Sequence, residues 1–116
     1  MKYFLIFLLA FFSYASSTYS ATVDTVNVFS AGMNKNIKTV VIKPDTYNEK
    51  KSFPVLYLLH GYSDRYDGWV TKVPSIIELS DLNDIIVVCP DGGFNSWYWD
   101  SPVDAAYQYE TFVAKE

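Results

Sequence analysis

Pro54-Val-Leu-Tyr-Leu-Leu-His-Gly-Tyr-Ser-Asp-Arg-Tyr-Asp-Gly-Trp69 is an apolar run that stops abruptly at a His-Gly turn. Val55 to Leu59 carries no charge and little alternation, the pattern of a strand covered on both faces and so of a central strand in a parallel α/β sheet. Ligands of open α/β sheets sit beyond the carboxyl ends of the strands, so the loop that begins at His60 should face a functional crevice. A second apolar run, Asp84 to Pro90, ends in the same way, at Asp91-Gly-Gly-Phe-Asn-Ser-Trp-Tyr-Trp-Asp-Ser-Pro102. Two strands are therefore expected to open onto one edge.

Between these runs Val73, Ile76, Ile77 and Leu79 or Leu82 fall near helical spacing, which predicts a helix over Val73 to Leu82 with Pro74 in its first turn, where a missing N–H has no intrahelical partner anyway. Strand, helix and strand make a βαβ unit with a right-handed crossover. Upstream, Val23, Val26, Val28 and Phe29 mark a first strand, Ala31 to Asn36 a turn, and Ile37 to Ile42 a second strand ending at Lys43-Pro44. Neighbours this close pair as an antiparallel hairpin. Asp45 to Ser52 is polar, without an apolar period, and reads as a surface connection. Downstream, Ala105, Ala106, Tyr109, Phe112 and Val113 would share one face of a helix within Val103 to Lys115.

The chain has 116 residues, 50% of them apolar and 18% aromatic, which suits one folded domain rather than disorder. Its net charge of -4 makes nucleic acid and anionic membrane poor partners. Lys2, an apolar stretch from Tyr3 to Phe12 and the small-residue exit Ser13-Tyr14-Ala15 form the pattern of a secretory signal peptide, residues 1–15, too short for a stable membrane anchor. Export is therefore expected, to the medium or a periplasm, with residues 16–22 as a short flexible start and 23–116 as the folded part. The single cysteine, Cys89, has no internal disulfide partner and reads as a small buried strand residue. No His/Cys cluster or carboxylate cage suggests a metal, and no cofactor is expected.

Taken in order, the strand, His60-Gly61-Tyr62, Asp67-Gly68-Trp69, the helix, Ile85 to Val88, Pro90-Asp91-Gly92-Gly93 and Asn95-Ser96-Trp97-Tyr98 resemble the N-terminal half of an esterase family of α/β-hydrolases. That family includes feruloyl and acetyl-xylan esterases, S-formylglutathione hydrolases and mycolyltransferases. The resemblance runs from about Val23 to Glu116, and the family domain is about twice that long. It implies an α/β fold: an antiparallel first hairpin followed by a parallel βαβ unit, truncated before the nucleophile elbow. It also implies a secreted serine carboxylic-ester hydrolase, with acylated polysaccharide or a similar ester as substrate.

Such a hydrolase needs a serine on a Gly-x-Ser-x-Gly elbow, followed by an acid and a histidine. Gly61-Tyr62-Ser63-Asp64-Arg65 has the first glycine and the serine, but Arg65 replaces the second glycine and the strand is the wrong one. His60 precedes every candidate serine of its loop, whereas the family histidine comes last, so His60 reads as a structural residue holding a turn. Nucleophile and catalytic histidine are thus absent from these 116 residues, and the isolated chain is expected to be inactive. By resemblance, this half supplies part of the oxyanion hole: the backbone N–H of Tyr62, with Gly61 as the turn that brings it there. Asn95, Trp97 and Tyr98 are the expected substrate-binding residues, an aromatic and hydrogen-bonding wall for a sugar or an aromatic acid. Asp91 and Asp100 read as loop-capping carboxylates rather than an acid/base pair. The alternative function is a non-catalytic secreted carbohydrate-binding fragment that keeps only this wall. Nothing in the sequence sets an oligomeric state.

Overall fold

The computed structural model describes residues 20–116; the expected signal peptide and residues 16–19 lie outside them. Four strands form one mixed sheet: β1 (Thr22–Ser30), β2 (Lys35–Lys43), β3 (Val55–Tyr57) and β4 (Ile86–Pro90), in the spatial order β1-β2-β4-β3. β1 and β2 pair antiparallel in the expected hairpin, with Ser30 opposite Lys35. β4 then lies antiparallel to β2 and parallel to β3, so the βαβ unit is present. Its strands enclose α1 (Gly68–Lys72) and α2 (Ser75–Asn83), and α3 (Tyr109–Lys115) follows β4.

The alternation of β2 decides what each helix covers, because successive side chains point to opposite faces of the sheet. Val40 and Ile42 join Val87, Cys89 and Ile76 in a buried cluster under α2. Ile37, on the opposite parity, joins Met33, Tyr109 and Phe112 in a second cluster under α3. α2 is tied to the hairpin at one residue, Asp81, whose carboxylate accepts the Ala21 N–H at 3.0 Å and the Asp45 N–H at 2.6 Å. Part of the expected flexible start is thereby anchored, and Thr22 already belongs to β1. Pro74 precedes α2 as its N-cap, and Asp84 closes the helix in a left-handed conformation with φ 53°.

Two expectations need correction. The Val55 to Leu59 run forms a ladder only over Val55–Tyr57 and, among the four strands described, stands at the edge, with all three residues about half exposed. β4, not β3, lies between two neighbours, which is why its Val87 and Cys89 are buried. The final helix starts at Tyr109 rather than near Val103. Residues 101–108 are instead held as turns, with the Ser101 N–H on Tyr107 O at 2.7 Å and the Gln108 side-chain amide on Ser101 O at 2.8 Å. Cys89 is buried as expected, and desolvation pushes its thiol up to about 11.

Candidate active site

β3 and β4 run parallel, so the loops that follow them leave the sheet at the same edge. Beyond the last ladder bond, Leu58 N–H to Val88 O at 2.9 Å, the two chains separate and enclose a cavity of about 210 Å³. Its walls are His60, Gly61 and Tyr62 from the first loop and Gly92 to Tyr98 from the second. α1, which the sequence did not reveal, braces the first loop: the Trp69 indole N–H donates to Leu59 O at 3.1 Å.

His60 is buried and engaged at both ring nitrogens. Nε2 accepts the Gly92 N–H at 2.8 Å, which leaves Nδ1 as the protonated nitrogen donating to Gly61 O, also at 2.8 Å. The neutral tautomer with the proton on Nδ1 follows from these partners. Neither nitrogen is available to activate a hydroxyl, so His60 ties the two loops together. Ser63 has its N–H bound to Phe94 O at 2.8 Å and a φ of 59°, and His60, engaged at both ring nitrogens, offers its hydroxyl no base.

Among the described residues, the main-chain N–H groups of Gly61 and Tyr62 donate to no protein acceptor. They lie side by side at the cavity wall, next to amides that are bound. Gly61 does not take a left-handed conformation, and a Cβ built on it meets nothing within 4 Å. The glycine therefore is not required by the turn; a side chain there would enter open space in front of the loop. Gly92 is the sterically required glycine. A Cβ on it would lie 2.4 Å from Cζ of Tyr98.

The second loop is bound at its two ends, while the amides of Phe94 to Trp97 have no protein acceptor among the described residues. Asp91 Oδ1 accepts the Gly93 N–H at 2.6 Å, Ser96 Oγ accepts the Tyr98 N–H at 3.0 Å and donates to Gly92 O, and the Trp99 N–H reaches Ser96 O at 3.1 Å. Two consecutive non-glycine residues, Trp97 and Tyr98, are left-handed at φ 56° and 52°. Such residues are uncommon, and bulky ones are strained there, so the surrounding bonds must hold them. Tyr98 turns its hydroxyl inward, accepting the His60 N–H at 3.1 Å and donating to Pro90 O at 2.9 Å. Desolvation by burial pushes this phenol up to about 12, so it stays neutral. Trp97 faces outward at 77% exposure, and its ring approaches Tyr62 at 5.8 Å between centroids. Phe94, on the other side of Tyr62, meets it edge-on at 5.2 Å.

The structure thus brings Gly61, Tyr62, Asn95, Trp97 and Tyr98 to one cavity. Trp99 lines a separate depression with Asn95, Ser101 and Tyr107. Asp100 caps α3 from a distance, accepting the Thr111 N–H at 3.0 Å and its hydroxyl at 2.6 Å, bonds that hold its carboxyl below the usual range. Sequence reasoning missed Phe94, the steric need for Gly92 and the inward hydroxyl of Tyr98. The Gly92-Gly93 pair after a strand was a local signal for the second of these; the other two depend on contacts across the two loops.

A parallel strand pair with a crossover helix, a preceding antiparallel hairpin, and a strand-end turn with undonated amides define the N-terminal part of an α/β-hydrolase. Residues 30–116 match the family model described as "Putative esterase", and the chain belongs to that esterase family. It is 32% identical over 99 residues to an acetyl esterase of Caldicellulosiruptor saccharolyticus, covering 78% of this chain and 36% of that protein. An esterase of Mycobacterium tuberculosis is 37% identical over 76 residues, 62% of this chain and 16% of its own. Among solved structures, a ferulic acid esterase superposes with a TM-score of 0.69 at 28% identity, over 85% of this chain and 42% of its own. An S-formylglutathione hydrolase from Agrobacterium tumefaciens shares the fold, with a TM-score of 0.68 at 15% identity over 85% of this chain and 44% of its own. The chain thus spans well under half the length of these relatives.

Proposed function

We propose that this chain is the N-terminal portion of a secreted serine carboxylic-ester hydrolase acting on acylated polysaccharide, and that the Tyr62 main-chain N–H is one of its oxyanion donors. The observation that carries the reading is that amide: undonated among the described residues, at the wall of the cavity beyond β3, in a loop whose next two N–H groups are bound. When a serine attacks an ester carbonyl, negative charge gathers on the carbonyl oxygen, and an amide already aimed there stabilises it without reorganising. The acyl-enzyme is then hydrolysed by water activated by a histidine base. Serine, base and acid are assigned to residues outside this sequence, since the one histidine here is occupied at both nitrogens.

The names of two relatives, an acetyl esterase and a ferulic acid esterase, support an acyl group carried by a plant-type polysaccharide. Asn95 and the outward Trp97 supply the wall for such a substrate, while Tyr98 contributes its ring, its hydroxyl being engaged. Residues 1–15 are proposed to direct export.

The test joins this segment to the remainder of an esterase domain and measures turnover of an aryl acetate and of acetylated xylan. Tyr62→Phe keeps the amide and should keep most of the turnover. Tyr62→Pro removes the donor and should lower kcat on the order of a hundredfold or more, with folding checked by circular dichroism. Normal turnover by folded Tyr62→Pro would refute the assignment. The chain alone should turn over neither substrate; activity lost on Ser63→Ala would show that a nucleophile had been overlooked. Xylan binding without turnover in the joined protein would instead favour a carbohydrate-binding role.

A further inference from the structure

We infer that the Tyr98 hydroxyl is a positioning group for the oxyanion turn, holding the main chain of His60 to Pro90 so that the Tyr62 amide two residues later keeps its place at the cavity wall. The inference rests on the reading of Tyr62 as an oxyanion donor and adds a residue that acts through it.

Three independent features put the phenol where it is. First, the hydroxyl uses both of its capacities on main chain, accepting from His60 N–H at 3.1 Å and donating to Pro90 O at 2.9 Å. It therefore bridges the ends of β3 and β4 just past the last ladder bond at Leu58, where the strands no longer bond to each other directly. Second, Gly92 leaves the space the ring occupies; any Cβ there would overlap it. Third, Tyr98 reaches that space only from a left-handed backbone following a left-handed Trp97, held by Ser96 Oγ on the Tyr98 N–H. Strained, non-glycine backbone of this kind persists where the surroundings over-determine it. A phenylalanine would fill the same volume, but the buried His60 N–H and the Pro90 carbonyl would lose their shared partner. An unsatisfied buried donor is costly, so the His60 segment would move to recover one. The imidazole is the next link, since its two bonds to Gly61 O and Gly92 N–H set the path of the chain into Tyr62.

The first measurement is amide hydrogen exchange by NMR on the 116-residue chain. His60 N–H lies outside the sheet ladder, yet should exchange slowly in the parent. In Tyr98→Phe it should exchange at least about tenfold faster, the scale of losing one net hydrogen bond, with Tyr62 shifted and Val40 and Val87 unchanged. A fast-exchanging His60 amide in the parent would overturn the inference without any variant. The second measurement is kinetic, in this segment joined to the remainder of an esterase domain, on an aryl acetate. Tyr98→Phe should lower kcat by about tenfold at nearly constant KM, a fraction of the loss for removing a donor outright. Added to Tyr62→Pro, it should cost nothing further, because its effect passes through the amide already lost. An additive double variant would refute positioning through Tyr62, as would a Tyr98→Phe enzyme with parental kcat while Tyr62→Pro is impaired. If Tyr62→Pro itself is unimpaired, the failure lies in the oxyanion reading instead.

Discussion

The two loops that leave the sheet beyond β3 and β4 start one strand apart and are built differently. Residues 60–62 present two adjacent amides with no protein acceptor among the described residues, in a backbone free of left-handed strain. Residues 91–99 bind the amides of Gly92, Gly93, Tyr98 and Trp99, leave those of Phe94 to Trp97 without a protein acceptor among the described residues, and contain two consecutive left-handed aromatic residues. The bonds between the loops explain the difference. His60 N–H, both His60 ring nitrogens and Ser63 N–H all find partners on the second loop or on the first loop itself, and the Gly61 and Tyr62 amides between them have none. The second loop, with its two consecutive left-handed aromatic residues, thus holds the first from both sides of the Gly61 and Tyr62 amides. Amides kept in place and unbound are what charge stabilisation on a substrate oxygen requires, because no internal bond must break first.

The glycines give the sharpest way to break this contrast. Gly92→Ala sets a methyl against the Tyr98 ring and should destabilise the chain by about 1–3 kcal/mol, as overpacking does, read as a lower urea midpoint. Gly61→Ala meets no neighbour and should change stability by no more than about 0.5 kcal/mol, while lowering turnover in a joined enzyme because the methyl enters the space before the oxyanion turn. Equal destabilisation by both would mean that the first loop is as tightly moulded as the second. The smallest effect is expected where the second loop hands over to α3. Asp100 is held below the ordinary carboxylate range by its Thr111 bonds, so the folded state favours its ionised form. That contribution is complete above the ordinary aspartate range and is lost as pH falls through the lowered folded value. Thr111→Val removes the hydroxyl donor and should lower stability slightly at neutral pH and less in acid, flattening the fall of stability with falling pH. Identical acid limbs for parent and variant would show that Asp100 does not cap α3 in solution.

Much of the architecture was legible in local pattern. Alternation in Ile37 to Ile42 and the turn chemistry around Asn34 were enough for the hairpin, and the apolar runs ending at His60-Gly61 and Pro90-Asp91 were enough for two strands opening on one edge. The candidate residues Gly61, Tyr62, Asn95, Trp97 and Tyr98 came from motif order, and the fold places all five at one cavity. α1 escaped notice because five residues carry too little periodicity, and its anchor is the Trp69 indole on Leu59 O, a contact invisible along the chain. The late start of α3 had a similar cause: the apolar face of Ala105 and Ala106 was outweighed by Ser101, Asp104 and Gln108, whose bonds hold the segment as turns.

By itself, the sequence determined which segments extend and where they turn, since those depend on side-chain period and on Gly, Pro, Asn and Asp over a few neighbours. It also determined membership of an esterase family, through motifs in a set order. Only the tertiary structure decided that β4 lies between β2 and β3. It alone decided, too, that Tyr98 points inward to His60 and Pro90 while its neighbour Trp97 faces out. A strand's apolar character says that it will be covered but not by which neighbour, and a side chain's direction follows from a backbone φ that contacts between distant residues impose.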